Sequence, residues 1–488
     1  MVPHRIRQRE SAPLSMSPPP HRSAQDSSPD LADWSGFALL EAFANRTVSP
    51  VEVAKAVIAR IEAYEPKLQA LYAFDPEAAL RDAKASEQRW LKGEARALDG
   101  IPVTIKENIA TRGTPVPLGT AARPLVPAAD DAPSAARLRE DGAVLLAKTT
   151  MPDYGMLSSG LSSFHPLTRN PWDPSKNPGG SSAGAGAAAA AGYGPFHVGT
   201  DIGGSIRLPA AWCGVFGLKP SFGRIPIDPT YYGRVAGPMT RTVRDAALMM
   251  TSLTRPDHRD PMSLPYQDLP WLDLAIDVRG LRIGVMMEAG IGLALDPEIR
   301  TAVERAAQLF AAAGAVIEEV PPFVTREMLD GLDDFWRQRA WTDIGALTDK
   351  ERAKVLPYIR QWAEGGRNLT GAQVYHGMNQ MMAMRHAAVA ATNRFDFVLS
   401  PVAPCVPYAA ELASPIHDPE RPFEHIGYTV AFNMSDQPAA SVNAGFTKAG
   451  LPIGLQIVGR RFDDVGVLRL SQAWEEMCPD RSPWPRLS

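Results

Sequence analysis

The stretch from Asn177 to Pro209 decides how this chain is read. It opens Asn177-Pro178-Gly179-Gly180-Ser181-Ser182 and continues through an alanine and glycine run, Ala183 to Ala191. It closes Gly199-Thr200-Asp201-Ile202-Gly203-Gly204-Ser205-Ile206-Arg207-Leu208-Pro209. Alanine is the strongest helix former, so the run predicts a helix whose small side chains let it lie close to the loops on either side. Two serines, Ser181 and Ser205, therefore sit in separate glycine-framed loops. A serine hydroxyl is a weak nucleophile until its proton has somewhere to go. The base that answers this need lies upstream, at Lys106 in Gly100-Ile101-Pro102-Val103-Thr104-Ile105-Lys106-Glu107-Asn108. Taken alone, Gly-Gly-Ser is usually a turn and a lysine is usually a surface residue. It is their joint occurrence that points to chemistry.

Residues 101–105 read as a short buried strand that delivers Lys106 at its end. To act as a base the amine must be neutral, whereas free lysine has a pKa of about 10.4. Lowering it to about 7 requires roughly 4 kcal/mol of differential solvation, which burial against Ile101, Val103 and Ile105 supplies in part. Glu107 would oppose this, unless strand alternation turns its carboxylate to the other face. The glycines before Ser205 have a different task. They let the backbone N–H groups of Ile202, Gly203, Gly204 and Ser205 converge on a developing oxyanion. Ser182, Asp201 and Arg207 are assigned supporting roles, the last two bracing the loop.

The ordered set Lys106, Ser181, Ser205 resembles the amidase signature family of serine hydrolases. Gly-Ile-Pro-Val-x-x-Lys-Glu-Asn, Gly-Gly-Ser-Ser and Thr-Asp-x-Gly-Gly-Ser stand in the family's order, with 75 residues from Lys106 to Ser181 and 24 from there to Ser205. Cys213-Gly-Val-Phe-Gly-Leu-Lys-Pro220, Gly237-Pro-Met-Thr-Arg-Thr-Val243 and Gly450-Leu-Pro-Ile-Gly-Leu-Gln-Ile457 extend the likeness over roughly residues 33–475. The resemblance implies Lys106 as base, Ser181 as proton relay on a cis peptide bond and Ser205 as nucleophile, with no cofactor and no metal. It implies an α/β fold: one large domain with a central mixed, mostly parallel twisted sheet covered by helices on both faces.

Bulk properties agree with a globular enzyme. The 488 residues are 45% hydrophobic and 21% charged, with a net charge of −4 that offers no footprint for nucleic acid. Cys213, Cys405 and Cys478 are too few and too scattered for a disulfide framework or a zinc site and suit a reducing, cytoplasmic setting. No apolar run reaches the length of a membrane span. There is no Gly-x-Ser-x-Gly elbow around Ser205 and no His-Glu-x-x-His motif. Residues 142–149 lack the second glycine of a phosphate loop, and His197 is expected to be structural. Residues 1–30, rich in Pro, Ser and Arg but without a signal-peptide apolar stretch, read as a disordered tail, with Met16 as an alternative start.

The amidase domain is placed over 31–488, with a catalytic core at about 90–250 and a C-terminal half at about 281–480 completing the sheet and pocket. Ser49-Pro50-Val51-Glu52 has the pattern of a capped helix start. Residues 252–280 read as a surface connection, and residues 281–286, 296–313 and 315–320 form a βαβ pattern. Residues 397–401 read as a further buried strand.

For the substrate pocket the candidates are Tyr154, Met156, Leu157, Ser158 and Trp336, with Phe335, Trp341 and the methionines of 375–384. Such a lining suits a bulky apolar or aryl small molecule. By resemblance the acceptable bonds include amides, esters and urethanes, and a homodimer is in keeping with the family. The alternative is a glutaminase (A) subunit of a tRNA-dependent amidotransferase. Such proteins hold the glutamine amine with an acidic residue about seven positions before an asparagine that matches Asn433; here that position is Ile426.

Overall fold

The computed structural model describes residues 30–478 and 484–487. The tail expected over residues 1–30 therefore lies almost wholly outside the described residues. Eleven strands form one sheet: β1 (Leu71–Tyr72), β2 (Pro102–Lys106), β3 (Val144–Thr149), β4 (Phe196–Asp201), β5 (Phe216–Lys219), β6 (Val235–Thr240), β7 (Arg282–Val285), β8 (Val316–Glu319), β9 (Phe397–Pro401), β10 (Ala439–Phe446) and β11 (Pro452–Gly459). Their order across the sheet is β1-β3-β2-β4-β6-β5-β10-β11-β9-β7-β8.

Parallel pairs occur in the two wings, β3-β2-β4 and β9-β7-β8. Every pair from β4 across the centre to β9 is antiparallel. The sheet is thus mixed, and the expected predominance of parallel pairing does not hold at its centre. The reason is connectivity: β10 and β11 follow each other through a short turn at residues 447–451, which only antiparallel neighbours can use. The βαβ unit expected after residue 281 is present, with β7 and β8 parallel and joined through the helix Pro297–Ala312.

Strand alternation separates two packing layers. Val103 and Ile105 of β2, with Phe196 and Val198 of β4, point into the main apolar core beside Val57 and Ile61 of the helix Pro50–Leu68. That helix starts as its sequence requires: Ser49 Oγ accepts from Glu52 N at 3.2 Å and Glu52 Oε2 from Ser49 N at 2.8 Å. Thr104 and Lys106 point the other way. On that face His197 is locked, facing Thr104 Oγ1 at 2.7 Å and donating through Nε2 to Gly194 O at 3.0 Å. Burial holds it neutral, with a pKa lowered to about 3, which fits a structural residue.

The alanine run forms a wholly buried helix, Ala183–Ala191. Gly184 explains why small residues are needed: a Cβ there would lie 2.2 Å from Ala70 O and 2.4 Å from Thr150 N. A second layer is built on the paired helices Arg326–Gly345 and Gly371–Thr392, the first of which supplies Arg339, Ala340 and Asp343 to the lining of a cavity.

Candidate active site

Lys106 is completely buried at the end of β2. Its Nζ lies 2.8 Å from Ser181 Oγ, 3.0 Å from Ser182 Oγ and 3.0 Å from Thr200 Oγ1. No carboxylate pairs with it among the described residues. Burial, reinforced by the Arg234 guanidinium, pushes its pKa well below the usual lysine value against weaker pulls from Asp201 and Glu107. Glu107 is occupied elsewhere. Its carboxylate accepts from Leu118 N at 2.7 Å and Gly119 N at 2.6 Å, and faces His165 Nε2 at 3.0 Å.

The three hydroxyls are not equivalent. Ser182 Oγ donates its single proton to Thr200 O at 3.1 Å, so toward Lys106 it can only accept. Thr200 Oγ1 already accepts from Asn108 Nδ2 at 3.1 Å. A neutral lysine amine has two N–H groups and one lone pair. With the N–H groups directed at Ser182 and Thr200, the lone pair faces the Ser181 hydroxyl.

Ser181 follows a cis Gly180–Ser181 bond and opens onto the same cavity as Ser205. Ser182 N donates to Ser205 O at 3.2 Å, which ties the two serine loops together.

The Ser205 loop is held by a buried ion pair. Arg207 Nε and Nη2 each lie 3.0 Å from an oxygen of Asp201. The remaining guanidinium donors go to Thr429 O, Gln456 Oε1 and Asn433 Oδ1 at 2.9, 2.7 and 2.6 Å, so every side-chain N–H of Arg207 has an acceptor. Burial works against the Asp201 carboxylate, but Arg207 outweighs it and keeps the group ionised far below the ordinary range.

Asp201 also accepts from Gly204 N at 2.8 Å and Ile206 N at 3.1 Å. This corrects one expectation: the Gly204 N–H is committed inside the loop and is not free for an oxyanion. The N–H groups of Ile202, Gly203 and Ser205 have no protein acceptor among the described residues. Gly204 contributes through its backbone angle, φ +126°, which L side chains rarely adopt.

The cavity has a volume of about 430 Å³. Ser181, Ser205, Thr200 and Asn108 are its polar lining, and Val116, Leu118, Met151, Tyr154, Met156 and Ile202 also line it. Of the pocket residues expected from sequence, Tyr154 and Met156 lie on its wall. Leu157, Ser158 and Trp336 lie behind it. Leu157 is packed in an apolar cluster, and Ser158 turns its carbonyl to the Tyr408 hydroxyl at 2.9 Å. Trp336 stacks edge-on against Phe423 at 5.1 Å and backs Gly203. Met381 and Met384 are core, while Tyr375 and Met378 face outward on the same helix, because pairing with the helix Arg326–Gly345 buries only one side.

Sequence reasoning missed Thr200 and the charged rim formed by Arg123, Asp228, Arg234, Arg339 and Asp343. Thr200 stood inside the quoted motif beside Asp201. Nothing local marked Thr429 or Gln456, which reach Arg207 across more than 220 residues.

Comparisons with known proteins identify the family. Residues 52–468 match the family model described as Amidase. The chain is 32% identical over 480 residues to the A-subunit of a glutamyl-tRNA(Gln) amidotransferase from Chloroflexus aurantiacus, covering 91% of this chain and 97% of the relative. Its identity to the corresponding Myxococcus xanthus protein is 35% over 483 residues, covering 91% and 97%. Among solved structures, a bacterial aryl acylamidase of the amidase signature enzymes superposes with a TM-score of 0.84 at 31% identity, covering 91% of this chain and 96% of that one. A 6-aminohexanoate cyclic dimer hydrolase complexed with substrate gives 0.83 at 25% identity, covering 94% and 99%. The chain belongs to the amidase family and is an amidase signature enzyme acting on carbon–nitrogen bonds.

Proposed function

We propose that the protein is a free-standing amidase that hydrolyses carboxylic amides through a Lys106–Ser181–Ser205 triad and an acyl-enzyme. The observation that carries this reading is a buried Lys106 whose Nζ lies 2.8 Å from Ser181 Oγ, with Ser181 and Ser205 lining one cavity. Ser205 attacks the carbonyl carbon while its proton passes to Ser181 and the Ser181 proton passes to Lys106. The tetrahedral oxyanion is received by the N–H groups of Ile202, Gly203 and Ser205. Collapse breaks the C–N bond as Ser181 protonates the leaving nitrogen and recovers its proton from Lys106. Water then cleaves the acyl ester by the same route. Esters and carbamates present the same carbonyl to the same donors and are expected substrates as well.

The amidotransferase relatives favour a second reading, a glutaminase working within a larger complex. Against it stands Ile426, an apolar side chain whose Cδ1 would lie 3.4 Å from a Cβ at Gly203, where an ammonium-binding acid is expected.

The test is a panel without any partner protein: 4-nitroacetanilide, 4-nitrophenyl acetate, a 4-nitrophenyl carbamate and glutamine. Anilide turnover that is lost in Ser205→Ala supports the amidase. Ammonia release from glutamine with no anilide turnover transfers the assignment to the glutaminase. Failure of a fluorophosphonate to label Ser205 removes both.

A further inference from the structure

The rim of the cavity carries charge that takes no direct part in the proton transfers, Arg234 acting on Lys106 only through its field. Arg234 and Arg339 both face the Tyr231 ring, with Cζ 5.9 and 4.5 Å from its centroid. Arg234 spends one N–H on Pro229 O at 3.0 Å, and Arg339 approaches only the Met156 sulfur, at 4.0 Å. Neither has a carboxylate within 4.0 Å among the described residues. The fully buried arginines behave differently: Arg60, Arg207, Arg224, Arg241 and Arg337 are each paired with an aspartate. Asp228 and Asp343 line the same cavity but are exposed and close no ion pair with these arginines.

Two half-buried guanidiniums near each other repel and are poorly solvated, a cost that a bound anion removes. Burial and the Arg339 charge together lower the Arg234 pKa to about 10, against weaker opposing pulls from Tyr231 and Asp228. A guanidinium with free N–H groups presents the planar fork that matches a carboxylate.

We propose that Arg234 and Arg339 form a carboxylate-binding subsite in the active-site cavity, so that the preferred substrate is an amide carrying a carboxylate beyond the scissile bond. This rests on the amidase reading. Tyr154 and Met156 line the same cavity as the subsite and Ser205 and offer apolar surface suited to an aryl or short alkyl spacer.

Two substrate pairs place the carboxylate on either side of the amide: 4-acetamidobenzoate against 4-nitroacetanilide, and succinanilate against butyranilide. The readout is the ratio of kcat/KM within each pair, compared between wild type and Arg234→Gln or Arg339→Gln, which cancels intrinsic reactivity. In one pair the carboxylate advantage is expected to fall at least tenfold in either variant, chiefly through KM, with Arg339→Lys intermediate. Ratios unchanged in both pairs overturn the proposal. Calorimetric binding of all four compounds to Ser205→Ala decides the subsite independently of turnover. Tighter carboxylate binding that is lost in the arginine variants sustains it, and equal binding sinks it. If wild type hydrolyses none of the four, the amidase reading fails while the binding comparison still stands.

Discussion

Thr200→Val tests the reasoning about Lys106 most directly. Valine has the shape of threonine without the hydroxyl, so the change removes one acceptor at 3.0 Å from Lys106 Nζ and leaves the Asn108 amide without its 3.1 Å partner. Lys106 is buried and Asn108 partly so, and an unsatisfied buried polar group costs about 1–3 kcal/mol. The consequence for the proton path is more specific. Ser182 can take only one N–H of the neutral amine, because its own proton is held by Thr200 O. Deprived of Thr200, the second N–H turns toward Ser181, and the lone pair no longer waits for the Ser181 proton.

The loss should fall on kcat, by about 5- to 150-fold for 1–3 kcal/mol, with KM little changed. Thr200→Ser, which restores the hydroxyl, should recover most of the rate. Steady-state hydrolysis of an anilide and the rate of fluorophosphonate labelling at Ser205 provide two readouts, the second free of leaving-group protonation. A kcat within twofold of wild type in Thr200→Val would refute the three-hydroxyl account of the lysine.

Three further outcomes follow from the geometry. Gly204→Ala places a Cβ 2.7 Å from Thr429 Oγ1 on a backbone of φ +126°, displacing the neighbouring donors. Its kcat should drop by about 10²–10³, as for loss of one oxyanion donor, and its labelling rate should fall with it. Asp201→Asn leaves the buried Arg207 without a counter-charge and should cost about 3–5 kcal/mol. A urea midpoint lowered at unchanged slope would register this, and a shift under 1 kcal/mol would contradict it. His425 is buried beside Trp212, and burial lowers its pKa to about 4 despite Glu424. The unfolded chain therefore binds more protons between about pH 4 and 6.5, so this stability is present above that window and is lost as pH falls through it. His425→Phe should flatten the fall, measured as urea midpoints across the window.

Much of the site was legible because it is local. The cap at Ser49, the alanine helix, the strand ending at Lys106 and the glycine loops depend on side chains within a few residues of one another. So does the turn of Lys106 away from the main core, which follows from alternation along β2. The buried setting that lowers the Lys106 pKa was anticipated from its apolar neighbours, although its closest polar partners were not all identified. The methionines of residues 375–384 show the limit. Their helical spacing was visible, but whether they face a pocket or a neighbouring helix depends on what packs against them.

By itself, then, the sequence determined which residues make up the proposed triad, their order along the chain and the α/β character of the domain, because short-range spacing and backbone preference encode these. Only the tertiary structure decided that Gly204 N–H belongs to Asp201 and that Arg207 is sealed by Thr429, Asn433 and Gln456. It alone also decided that the sheet's centre is antiparallel and that Arg234 and Arg339 meet at Tyr231 on the cavity rim. The physical reason is the same in each case. These contacts join segments that chain length does not bring together, and burial and hydrogen-bond satisfaction select them once the whole core is packed.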